Sequence, residues 1–106
     1  MTASDSQILK KIKNTITRID PMAVAILFGS RATGKAGKDS DWDILILLNK
    51  SKISLKDEQQ FRHNLYDIEL ETGELISTLI YSSEDWNTKL SVTPIYQAVK
   101  KHGIVL

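Results

Sequence analysis

Two short clusters in this chain carry residue types that can do chemistry together: Gly29-Ser30, then ten residues from Arg31 to Ser40, then Asp41-Trp42-Asp43. Two carboxylates with one residue between them on a strand point to the same face, about 6.6 Å apart along the chain. At an effective dielectric near 20 their repulsion is about 2.5 kcal/mol, which lifts one carboxyl above its ordinary range unless something neutralises the pair. A divalent cation removes that cost. Hard carboxylate oxygens suit Mg²⁺, which is commonly held by one or two carboxylates plus the phosphates of a substrate. Asp41 and Asp43 are therefore the candidate metal ligands and catalytic residues.

The glycine-serine pair supplies the other half. Gly29 lets backbone approach a phosphate closely, and the Ser30 hydroxyl with nearby N–H groups can donate to phosphate oxygens. Arg31, Lys35 and Lys38 follow in the same segment and offer positive charge beside a leaving pyrophosphate. Gly29, Ser30, Arg31 and Lys38 are the expected nucleotide-binding residues, with a nucleoside triphosphate as substrate. Gly29-x-x-x-x-Gly34-Lys35 also imitates a phosphate-binding P-loop, but Ala36 stands where that loop needs the Ser or Thr that binds Mg²⁺. His63 and His102 are isolated on helical stretches and carry no such pattern, and Trp42 and Trp86 read as packing residues.

These residues must be positioned by a small set of elements. Ile8, Ile12, Ile16 and Ile19 recur at helical spacing, predicting a helix over 5–19 that Pro21 closes. Met22 to Phe28 is a short, continuously apolar run, as in a strand covered on both faces. Gly29 to Ser40 has three glycines and no period, and reads as a loop. Asp41 to Leu48 resumes as a strand. Ser54 with Asp57 marks a helix start, Phe61, Leu65 and Ile68 its apolar stripe, and Gly73 its stop. Glu74 to Tyr81 reads as a third strand, Ser82-Ser83 before Glu84-Asp85-Trp86 as a short helical start, and Thr93-Pro94 to Gly103 as a last helix. Helices between strands imply an α/β (α+β) domain with a small mixed sheet of about three strands.

The bulk numbers agree with one domain over 1–106. Apolar content of 42% and charged content of 25% exclude global disorder. A net charge of +1 with scattered lysines gives no basic stripe, so no direct duplex nucleic-acid binding is expected. The absence of cysteine removes disulfides, thiolate metal sites and cysteine nucleophiles, and suits a reducing compartment. The polar start Met1-Thr2-Ala3-Ser4-Asp5 does not read as a signal peptide, and no apolar run has the length of a membrane helix. A cytoplasmic location without membrane contact is the expectation; oligomeric state is left open.

Gly-Ser, ten residues, Asp-x-Asp resembles the signature of the DNA polymerase β-like nucleotidyltransferase superfamily, and the short chain resembles its minimal nucleotidyltransferase branch. The matching positions are Phe28-Gly29-Ser30-Arg31 and Ser40-Asp41-Trp42-Asp43. The resemblance implies a polymerase β palm-like fold and transfer of a nucleoside monophosphate, AMP from ATP, with Mg²⁺ held by Asp41 and Asp43 and the triphosphate by Gly29 and Ser30. Members of the branch are often encoded beside a HEPN-domain protein in toxin–antitoxin pairs. The resemblance therefore implies an antitoxin whose acceptor is a tyrosine of a HEPN ribonuclease partner.

One position departs from the pattern. The superfamily has a third carboxylate on a later strand, whereas Leu75-Ile76-Ser77-Thr78-Leu79-Ile80 contains no acid and Ser77 stands near its expected place. Such an acid usually completes the metal site or accepts the nucleophile's proton. An alternative follows: a module that keeps the fold and the triphosphate site and neutralises a partner without transferring nucleotide.

Overall fold

The computed structural model describes residues 2–106, so Met1, part of the polar start read above, lies outside the described residues. A long helix, α1 (Ala3–Ile19), leads into strand β1 (Val24–Phe28), a short helix α2 (Ser30–Thr33) and strand β2 (Trp42–Leu48). Helix α3 (Leu55–Thr72) then crosses to strand β3 (Ile76–Ser82), followed by α4 (Ser83–Asn87), α5 (Pro94–His102) and a two-residue strand β4 (Ile104–Val105). The sheet order is β3-β2-β1-β4. β1 runs antiparallel to both β2 and β4, while β2 and β3 are parallel. The parallel pair requires a crossover, which α3 provides.

β2 is the buried centre of the sheet, and its alternation assigns the two faces. Trp42, Ile44, Ile46 and Leu48 pack with Ile8, Ile12 and Ile16 of α1 and with Phe61, Leu65 and Ile68 of α3. Those helical positions are the two stripes expected from spacing. Leu45 and Leu47 turn to the other face and pack with Trp86 of α4 and Val99 of α5. Asp43 shares the parity of Leu45 and Leu47, so the fold places it at the mouth of the α4/α5 face.

Helix starts are chemically specified. Thr2 with Asp5 and Ser54 with Asp57 each form a reciprocal capping box, in which the cap hydroxyl accepts from the third backbone N–H and the acid accepts from the cap N–H. Ser82 and Thr93 cap α4 and α5 with their side chains. Lys11 and Glu71 pair between α1 and α3.

Three expectations are corrected. Gly29 to Ser40 is not loop throughout, because one helical turn forms directly after Gly29, with Ala32 and Thr33 N–H donating to Gly29 O. β1 begins at Val24 rather than Met22, since Asp20 accepts from the N–H groups of Met22 and Ala23 and holds them in a turn. A fourth strand exists: Leu106 N–H donates to Ala25 O as Ile104 and Val105 pair with β1.

Candidate functional site

The end of β1 and the start of β2 meet through register. Phe28 is paired with Asp43, which puts Gly29, the next residue, beside the Asp43 side chain. Gly29 has φ +73° and ψ −157°, a region open in practice to glycine alone. A Cβ added there would overlap the Asp43 carboxylate, standing 3.0 Å from its Cγ. Two constraints thus select glycine at one position: the reversal of the chain after a buried strand, and the close approach of an acid.

Asp43 is half-buried, and burial followed by the charge of Asp41 holds its carboxyl above the ordinary carboxylate range. Asp41 lies one residue ahead of β2 and is exposed. The pair is a donor set that a small hard cation would relieve: two carboxylates whose charges oppose each other, the inner one already short of water. Among the described residues no cluster of three or more His, Cys, Asp or Glu forms a complete protein cage. Mg²⁺ held here would take its remaining ligands from water and phosphate, as it commonly does.

Across the sheet on the other side, Asp43 is the register partner of Ser77 on β3. In a parallel ladder such partners stand side by side on one face, so Ser77 occupies the place beside Asp43 where a third acid was sought. Two acids close to β3 in the chain, Glu69 at the end of α3 and Glu74 just before β3, are engaged elsewhere. The Glu69 carboxylate accepts from Ile76 N–H (2.7 Å), and Glu74 accepts from the Trp42 indole (3.3 Å).

Ser30 is partly buried at the start of α2, and Lys35 and Lys38 are exposed on the segment that follows. Arg31, expected at a phosphate, is anchored within the protein. Its side chain is nine-tenths buried. Nε and Nη2 both donate to Ser40 O (3.0 and 2.8 Å), and its Cζ sits 4.1 Å from the centroid of the Trp42 ring. Asp5 and Glu74 carboxylate oxygens stand 3.7 and 3.5 Å away. Sequence patterning offered no signal for this arrangement, because Asp5, Arg31, Trp42 and Glu74 are distant in the chain and share no period. A cleft of about 560 Å³ opens on that side, lined by Asp5, Arg31, Trp42 and Glu74 among others. Neither Asp41 nor Asp43 lines it. Lys38, expected beside the triphosphate, lines this cleft together with Arg31.

Comparison with known proteins points to one family. Residues 10–103 match the family model described as Polymerase beta, Nucleotidyltransferase. The chain is 33% identical over 100 residues to the "Putative protein adenylyltransferase MJ0141" of Methanocaldococcus jannaschii, covering 92% of this chain and 94% of that protein. It is 42% identical over 40 residues to the "Protein adenylyltransferase MntA" of Aphanizomenon flos-aquae, covering 38% of this chain and only 27% of that protein.

Proposed function

This chain belongs to the polymerase beta nucleotidyltransferase family, and from that premise we propose that it transfers AMP from ATP to a protein hydroxyl. The observation that carries the reading is the Gly29–Asp43 contact: the corner suited to phosphate and the carboxylate suited to metal touch across the β1–β2 ladder. Asp41 and Asp43 would hold Mg²⁺, and Gly29 with Ser30 would face the triphosphate, with Lys38 near the leaving group. Magnesium bound there supplies positive charge against the triphosphate oxygens as negative charge redistributes in the transition state. The acceptor oxygen forms a bond to the α-phosphorus while the bond to the α–β bridging oxygen breaks, and pyrophosphate leaves. The name that the two relatives share, protein adenylyltransferase, supports a protein as acceptor. A tyrosine of a HEPN ribonuclease, with this chain as its antitoxin in the cytoplasm, is the acceptor we propose.

Ser77 beside Asp43 favours one second reading. A serine at neutral pH takes no proton from an attacking hydroxyl, so a base must come from the acceptor side or from water. If neither serves, the domain binds triphosphate and partner without transfer. Incubation with α-labelled ATP, Mg²⁺ and a HEPN partner separates the two. Label on the partner that Asp43→Asn abolishes supports transfer. A stable complex without label supports the binding module, and no Mg²⁺-dependent ATP binding refutes both.

A further inference from the structure

Arg31 is the best-anchored charged side chain near the acid pair, and none of the anchoring observed requires a phosphate. The Ser40 carbonyl that receives two of its N–H groups belongs to the peptide joining Ser40 to Asp41. Trp42, over which the guanidinium lies, is the residue between the two acids and is 1% exposed. The same ring donates through Nε1 to Glu74, and Trp42 N–H donates to Leu75 O (2.8 Å), so the start of β3 grips the same segment. Within the loop, Ser40 Oγ accepts from Gly37 N–H (2.9 Å), closing the turn just before Asp41. Arg31 thus sits behind the Asp41-Trp42-Asp43 segment, tied to its leading peptide and stacked on its central ring.

We propose that Arg31 is a positioning residue: by holding the Ser40–Asp41 peptide and the Trp42 ring it sets the separation of the Asp41 and Asp43 carboxylates, and it does not touch the triphosphate. The chemistry of arginine suits the task. A planar fork can place two N–H groups on one carbonyl while its face rests on an indole. A lysine ammonium reproduces the charge and neither geometry. Asp41 needs such support because it lies outside the ladder that fixes Asp43. The inference rests on reading the acids as the metal site, and the two are distinguished by measuring metal without nucleotide.

Mn²⁺ titration followed by electron paramagnetic resonance, with no ATP present, is the test. Arg31→Met and Arg31→Lys are expected to weaken Mn²⁺ binding by about 10-fold or more, as loss of supporting partners commonly does, and Asp43→Asn to abolish it. A phosphate-contacting arginine would leave Mn²⁺ affinity unchanged and weaken only ATP binding. Wild-type protein gives a second reading that no folding defect can obscure. The Arg31 Nε–H resonance is expected to exchange slowly and to stay in place when Mg²⁺ and ATP are added. Mn²⁺ affinity untouched in both Arg31 variants, or a large shift of that resonance on adding ATP, overturns the inference alone. Wild-type protein that binds no Mn²⁺ overturns the acid-pair reading and this inference with it.

Discussion

Substituting Gly29 by alanine tests the corner on which the proposed site depends. The backbone at φ +73° and ψ −157° is strained for any L side chain, at about 1–3 kcal/mol. The new Cβ also overlaps the Asp43 carboxylate, and driving that side chain off its rotamer costs about 0.5–1.5 kcal/mol more. Gly29→Ala should therefore destabilise the fold by about 2–4 kcal/mol, a drop of about 10 °C or more in a domain this small. Gly34 provides the comparison, because it too has positive φ (+78°) but nothing within 4 Å of an added methyl group. Gly34→Ala should show only the left-handed penalty, about 1–2 kcal/mol. Urea melts of both variants, and of Gly29→Ala combined with Asp43→Ala, complete the measurement. The double variant should recover about 1 kcal/mol of the summed costs, since removing the carboxylate removes the clash. Gly29→Ala should also lose the thermal stabilisation by Mg²⁺ and ATP. Equal costs at the two glycines with strict additivity would refute the contact argument.

Three further outcomes are expected. Asp43 binds its proton more tightly folded than unfolded, so the protein loses stability as pH rises from the ordinary carboxylate value through the raised one; Asp43→Asn should melt higher than wild type at neutral pH without metal, with the difference vanishing in acid and reversing when Mg²⁺ and ATP are present. Ser77→Asp places a carboxylate beside Asp43 and should lower apo stability while tightening Mn²⁺ binding; calorimetry showing unchanged Mn²⁺ affinity would separate Ser77 from the site. Ser54→Ala removes the α3 cap and should cost about 1 kcal/mol in urea melts. The Lys50 and Ser54 hydrogen bonds hold Asp57 down to about 2, so this support is present above the ordinary carboxylate value and is lost as pH falls towards 2; Lys50→Ala should flatten that acid limb.

Periodicity alone identified the apolar stripes of α1 and α3, because residues such as Ile12 and Phe61 are apolar for one local reason, burial on one side of one element; the unbroken aliphatic run of β2 marked a strand but not which of its faces meets which helices. Capping chemistry was equally readable at Ser54 and Thr93, where the partner lies three residues away. The spacing of Gly29-Ser30 and Asp41-x-Asp43 pointed to the family whose model matches residues 10–103. Tertiary structure alone decided which strand pairs with which. Only the Phe28–Asp43 and Asp43–Ser77 registers reveal that Asp43 has Ser77 on one side and, on the other, the strand end from which Gly29 follows. It also decided the role of Arg31, whose neighbours Asp5, Ser40, Trp42 and Glu74 come from separate segments of the chain. The physical reason is range: helical and strand periods and caps are written within a few residues, whereas a guanidinium's partners depend on how distant segments pack. A strand of two residues such as β4 has no period to read and exists only because the exposed edge of β1 accepts it.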